Sequence, residues 1–195
     1  MGQPAEKPRR ATYADLEAVP PGKVAELING MLYAFPRPAG RHLTASSALG
    51  IEIGGPFQRG RGGPGGWRIL DEPELHFPDP SAPGEIEALV PDLAGWRRER
   101  MPEPPEEAYF TLAPDWVCEV LSKSTEDVDR DDKMPIYARE GVRHAWLVDP
   151  IARTLEGFVL EGRGWVESGT WRDSDRVRVP PFEAIELDLS VLWAG

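Results

Sequence analysis

The segment "DWVCEVL", residues 115–121, limits the fold of this chain more than any other. Side chains alternate along a strand, so Val117, Glu119 and Leu121 share one face while Trp116, Cys118 and Val120 share the other. Apolar residues on both faces mark a central strand covered above and below. Glu119 breaks the pattern. An unpaired ionised carboxylate in that setting would be costly enough to protonate or be replaced. Three arrangements can keep it: a basic partner, a water-lined cleft or a metal cation.

The flanking sequence supplies neighbours for that strand. "TYADLEAVP" predicts a short helix, because Thr12 with Asp15 three residues later approximates a capping box and Pro-Pro-Gly follows as a stop. In "VAELINGMLYAF", strands at about 24–28 and 31–35 meet at Asn29-Gly30, the pair suited to a type I′ hairpin turn. "RHLTASSALGIEIGGPFQRG" has helical apolar spacing. The "RGRGGPGG" run after it reads as a flexible linker and not a phosphate loop, since no Lys-Ser/Thr pair follows and no strand leads into it. "WRILDEPELHF" and "EALVPDLAGW" are strand-like, and "RERMPEPPEEAYFTLAP" is too proline-rich for the core. "DRDDKMPIYAREG" predicts a helix stopped by Gly141, ahead of a strand in "VRHAWLVDP". The remainder reads as further β segments with a short C-terminal turn or helix.

These elements predict an α/β or α+β architecture, a mixed central β-sheet flanked by helices with additional β-hairpins. Residues 1–10 are polar and proline-containing and read as a flexible tail, leaving 11–195 as a single domain. The seven tryptophans fall in predicted strands and their flanks instead of alternating with basic residues, which favours core packing over base stacking.

Charge narrows the function. With 22 Lys plus Arg against 33 Asp plus Glu, the formal net charge is -11. Non-specific affinity for a phosphate backbone needs a basic surplus, so a general nucleic-acid coat is excluded while an enzyme with a local basic groove or a metal site is not. The single cysteine, Cys118, can form neither an intramolecular disulfide nor a cysteine zinc cluster, so a reducing cytoplasm is the expected compartment. No apolar run of a signal peptide opens the chain, and none approaches the ~20 residues of a membrane span.

A second acid is as anomalous as Glu119. "EALVPDLAGW" places Asp92 in an apolar run directly after Pro91, where proline removes a ladder hydrogen bond and marks an edge or bulge that re-aims the next side chain. Asp and Glu oxygens from two strands, with a backbone carbonyl and waters, suit Mg²⁺ or Mn²⁺. Taken singly, Glu119 reads equally as a salt-bridged or rim residue and Asp92 as a turn residue. A lysine nearby adds what phosphodiester hydrolysis needs, a cation to orient the attacking water or meet developing charge.

A Pro-Asp on one strand, then a Glu on a following strand with a lysine close by, resembles the PD-(D/E)XK nuclease superfamily. More narrowly, "ELING", "RH", "VPD", "CEVLSKST", "DDK..IYAREGV" and "HAWLVDP" resemble, in that order, the Uma-two family of restriction-type endonucleases, over residues 13 to 193. The resemblance implies a restriction-endonuclease-like fold and Mg²⁺ (or Mn²⁺)-dependent cleavage of DNA. It implies Asp92 and Glu119 as metal ligands, with the Val120 carbonyl as a further one. The chain departs from the superfamily pattern at Leu121, the position for lysine two residues after Glu119. The resemblance moves that lysine to Lys133 on the next helix, whose long stem can carry the ammonium back. Lys123 is the rival.

Pro135 allows Lys133 in the first turn of a helix capped near Asp131. The plain alternative is a solvated lysine among Asp129, Asp131 and Asp132. Glu26 in "ELING" and His42 after Arg41 match an acid and a histidine of the family, as a third carboxylate and as a base or phosphate contact. Each reads otherwise as an exposed hairpin acid and a helix-start histidine. Glu74 in "DEPELHF", with Glu72 on its face, is the last candidate ligand, while His76 and His144 lack metal-ligand spacing. Arg97, Arg98 and Arg100, with Arg37, Arg41, Arg59 and Arg61, are the candidates for a local DNA groove. A non-catalytic binding or assembly module that retains the fold is the competing class, and a hydrolase of small phosphorylated metabolites a third. Oligomeric state is open, with a homodimer as the candidate assembly.

Overall fold

The computed structural model describes residues 9–194. Residues 1–8 of the expected tail lie outside the described residues. Its last two residues are anchored, since Arg9 pairs with Asp15 at 2.8 Å and Arg10 pairs with Asp79.

In chain order the elements are α1 (Tyr13–Glu17), β1 (Lys23–Ile28), β2 (Met31–Pro36), α2 (Gly40–Ile53) with a π-helical turn (Gly54–Gln58), β3 (Trp67–Asp71), β4 (Glu74–Pro78), β5 (Ile86–Leu89), β6 (Leu93–Arg97), β7 (Tyr109–Phe110) and β8 (Trp116–Val120). A second π-helical turn (Val128–Lys133) runs into α3 (Met134–Arg139). Then follow β9 (His144–Asp149), β10 (Thr154–Glu161), β11 (Gly164–Arg172), β12 (Arg176–Val177), β13 (Leu187–Asp188) and a 3₁₀ turn (Leu189–Leu192). The strands form a five-stranded sheet, β2-β1-β5-β4-β7, a six-stranded sheet, β11-β10-β9-β8-β6-β3, and a small pair, β12-β13. Both large sheets are mixed, since β8 runs parallel to β9 and β4 parallel to β7. The α+β architecture is as predicted, with two large mixed sheets in place of the one central sheet expected. Among the described residues no helix is long and apolar enough to cross a membrane.

Local chemistry explains the first elements. Asp15 Oδ2 accepts the Thr12 N–H at 2.7 Å at the start of α1. Asn29 and Gly30 take φ of 54° and 75°, the positive values a type I′ turn requires, and β1 pairs with β2 from Lys23–Pro36 to Ile28–Met31.

The two strand-like runs around Pro73 and Pro91 need correction. Each is two strands in different sheets: β3 pairs with β6 in the six-stranded sheet, and β4 with β5 in the five-stranded one. The ribbon turns a corner where both prolines stand. Glu72, with φ of 45°, donates its N–H to the Asp92 carbonyl at 3.1 Å and holds the two arms of the bend together. Proline cannot continue a ladder, so the sheet breaks there, and the break throws Asp92 out of register.

β8 is the central strand its sequence predicts. Trp116, Cys118 and Val120 pack with Ala45, Leu49 and Ile53 of α2, while Val117 and Leu121 pack with Met134, Ile136 and Tyr137 beside the five-stranded sheet. Trp67, Trp116 and Trp146 surround Phe182 at centroid distances of 4.9, 4.9 and 5.5 Å, so these tryptophans pack in the core as expected. The aromatic layer depends on Gly95 in β6, where a Cβ would lie 3.2 Å from Trp116 and 3.3 Å from Trp67. Gly95→Ala is expected to cost about 1–3 kcal/mol, because the indoles are held on several sides and cannot yield without strain. Urea unfolding checks this, and an unchanged midpoint would show that the layer has room to spare.

Candidate active site

Glu119 keeps its place in β8 by the first of the three arrangements, a basic partner. It is 2% exposed, and Lys133 Nζ lies 2.8 Å from its Oε1. The same ammonium lies 3.1 Å from Glu26 Oε1 and 3.2 Å from Asp129 Oδ1. The Tyr137 hydroxyl donates to Glu119 Oε1 at 2.6 Å. One cation from the β8–β9 crossover therefore binds three carboxylates from three segments. The reading of Lys133 as a solvated surface residue is overturned, since its side chain is 3% exposed.

The expected cap near Asp131 is also corrected. Asp131 lies inside the π-helical turn, whose N-cap is Asp127, and Lys133 closes that turn before α3 begins. Pro135 still sits at the start of α3, as its geometry allows. A π turn is wider than an α turn and recurs at functional sites. Here it presents Asp129 and Lys133 to Glu119 together. Arg130, on the other side of the turn, grips Glu156 of β10 through two hydrogen bonds of 2.9 and 2.6 Å and so fixes the turn against the six-stranded sheet.

Asp92, at the corner between β5 and β6, reaches the end of β8. Its Oδ2 accepts the Val120 N–H at 2.7 Å and its Oδ1 lies 2.5 Å from His42 Nε2 of α2. Leu121 donates its N–H to the Val148 carbonyl on the β9 side, so the peptide groups of Val120 face the opposite edge. Its carbonyl is therefore turned towards Asp92. Glu26 is tied in from β1, accepting the Val90 N–H at 2.7 Å, and is 3% exposed and not an exposed hairpin position. Asp92, Glu119, Glu26, Asp129, Lys133 and His42 all line one pocket of 170 Å³.

Three acids round one ammonium leave surplus negative charge in a buried space. Burial pushes Glu119 well above the usual carboxylate range against the pull of Lys133, with Asp129, Asp92 and Glu26 adding to the rise. Burial raises Glu26 and Asp129 as well. Burial alone would push the Lys133 ammonium down, but Glu119 and Glu26 lead the surrounding charges that hold it well above 10.5. Tyr137 is raised well above 10 by burial and then by Glu119, so its hydroxyl keeps the proton it donates.

Other candidates are not brought here. Lys123 is exposed in the turn after β8 and does not line the pocket. Glu74 lies in the five-stranded sheet, where it accepts from Tyr13 at 2.8 Å and meets His76 at 2.5 Å. Glu72 parts from it at the corner and does line the pocket. Arg97 ends β6 on the side remote from Asp92, and Arg98 and Arg100 follow it. Arg97 lies over the Trp67 ring, Arg98 donates to the Trp67 carbonyl, and Arg100 pairs with Asp115 at 2.8 Å. Arg41, Arg59 and Arg61 line other hollows, and of the seven arginines only Arg37 lines this one.

Asp129 and Tyr137 are residues that sequence reasoning missed. Their signal was the spacing Asp129, Lys133, Tyr137, successive steps of four along one helical face. Among the described residues, no three His, Cys, Asp or Glu side chains form a group able to hold a metal ion.

The chain belongs to the Uma2 family, described as "Putative restriction endonuclease", whose model matches residues 10–191. The fold is shared with the crystal structure of "a putative nuclease belonging to DUF820" from Anabaena variabilis, at a TM-score of 0.72 and 23% identity, covering 94% of this chain and 97% of that one. No curated protein matches the chain.

Proposed function

We propose that this chain is a divalent-metal-dependent endonuclease that hydrolyses phosphodiester bonds of DNA, with Mg²⁺ or Mn²⁺ as its cofactor. The observation that carries the reading is that Asp92, Glu119 and Lys133, from three separate segments, line one pocket. The donor set fits a hard cation, because it offers carboxylate and carbonyl oxygen. Asp92 and Glu119 would hold the ion, with the Val120 carbonyl beside them. Each Asp92 oxygen already accepts one hydrogen bond, but a carboxylate has about four lone-pair sites and keeps capacity.

When bound, the ion lowers the pKa of a water and draws charge from the scissile phosphate. The chain's own groups do the rest. The three N–H donors of Lys133 meet Glu26, Glu119 and Asp129; exchanging one of them would orient the attacking water, while the ammonium charge meets the charge that develops on phosphate oxygens during in-line displacement, with no covalent intermediate. Glu26, Asp129 and, through Glu119, Tyr137 hold that ammonium in place. His42 fixes the Asp92 carboxylate from one side while the Val120 N–H fixes it from the other. The same reading takes residues 11–195 as one cytoplasmic nuclease domain, with a homodimer as the candidate assembly.

Supercoiled plasmid is expected to be nicked or linearised in Mg²⁺ or Mn²⁺ and left intact in EDTA. Leu121 favours a second reading, a binding module without catalysis, since it is 2% exposed in the core where the superfamily places its lysine. Plasmid and a single-stranded oligonucleotide both left intact with either metal, alongside retained DNA binding, would establish that reading instead.

A further inference from the structure

Besides the acids, the pocket lining includes hydroxyl-bearing and apolar side chains. Ser122, Ser124 and Thr125 line one side with hydroxyls, and Ser122 Oγ lies 3.0 Å from both of the others. The end of β2 and the residues after it contribute Phe35, Pro36, Arg37 and Pro38 to the lining. β2 is an edge of the five-stranded sheet. On it Tyr33 and Phe35 share a face and stack at 5.8 Å with an interplanar angle of 15°. Both rings remain partly exposed. Arg37 is 63% exposed on its side chain, and among the described residues its one ion-pair partner, Glu72, stands 3.9 Å away. Lys133, by contrast, is consumed by three carboxylates.

An aromatic ring and a little-engaged guanidinium at the mouth of an acidic pocket match a nucleotide: a base on the ring, a flanking phosphate on the arginine. The global charge adds a reason for stacking. A duplex is held chiefly through many phosphate contacts, and a chain of net charge -11, with Arg97, Arg98 and Arg100 at the far end of β6, cannot supply them at this pocket. Stacking needs no surplus charge, but it does need an open base face, which paired bases bury. Resting on the nuclease reading above, we propose that the substrate is a single-stranded or unpaired segment of DNA, with Phe35 as the stacking platform and Arg37 as the contact to an adjacent phosphate.

Fluorescence anisotropy with a labelled oligothymidylate and a duplex of equal length tests this, in Ca²⁺ in place of Mg²⁺ and again in EDTA. The single strand is expected to bind more tightly than the duplex. Phe35→Ala is expected to weaken single-strand binding on the order of tenfold, Phe35→Trp to preserve it, and Phe35→Leu, which keeps apolar bulk, to fall with alanine. Arg37→Ala is expected to flatten the logarithmic salt dependence by about 0.7. Thermal melting of each variant separates lost folding from lost binding. Equal affinity for both DNAs, or folded Phe35→Ala and Phe35→Leu binding as wild type does, would overturn the proposal even if plasmid is cleaved. Phe35-dependent single-strand binding without cleavage would uphold it and remove the nuclease reading alone.

Discussion

Lys133→Met is expected to abolish cleavage and to lower stability by about 3–5 kcal/mol at neutral pH. Methionine keeps the apolar stem but leaves Glu26, Glu119 and Asp129 buried with no cation among them. The pH dependence distinguishes this cause from a packing defect. These three carboxylates already have folded-state pKa values raised by burial, and removing the ammonium raises them further. An acid with a raised folded pKa takes up a proton on folding, so its contribution is fully present below its ordinary value and lost as pH rises through the folded one. The variant is therefore expected to regain stability as the pH falls from neutral towards 4.5, more steeply than wild type does. Urea unfolding at a series of pH values reads this directly. Wild-type stability with a flat pH profile would return Lys133 to the status of a surface lysine. Lys133→Arg is expected to remain inactive, since a planar guanidinium cannot replace a compact ammonium among three acids.

Asp92→Ala is expected to lower cleavage on the order of a thousandfold, the scale of losing one well-placed electrostatic group, and to remove the calorimetric signal of Mg²⁺ or Mn²⁺ binding. Alanine also deprives the Val120 N–H and His42 of their acceptor, so lost activity alone could reflect a loosened corner. Asp92→Asn separates the effects, because its amide oxygen can still accept from Val120 while the charge is gone. The asparagine variant is expected to melt close to wild type and to be as inactive as alanine. Retained cleavage by a folded Asp92→Asn would remove Asp92 from the metal-holding role.

How the site reads from sequence differs residue by residue. Glu119 was legible because one charged residue interrupted a strand apolar on both faces, and Asp92 because a proline preceded it in an apolar run. Tyr137 and Asp129 were not, because helical spacing tells which residues share a face but not which face turns inward. The arginines at 97, 98 and 100 read as a nucleic-acid patch, yet Trp67 and Asp115 engage them away from the pocket. "WRILDEPELHF" read as one strand because its apolar alternation runs through Pro73, whereas the corner there comes from pairing with a second broken run.

The amino-acid order by itself determined the local terms: the turn at Asn29-Gly30, the two apolar faces of β8, and the presence of acids that needed compensation. These depend on backbone sterics and side-chain alternation within a few residues. The company each charge keeps was decided only in the folded molecule. Whether Glu119 meets Lys133, and Arg100 meets Asp115, depends on separations of a few ångströms between segments far apart in the chain. Coulomb attraction and desolvation act through those distances and not through position in the sequence.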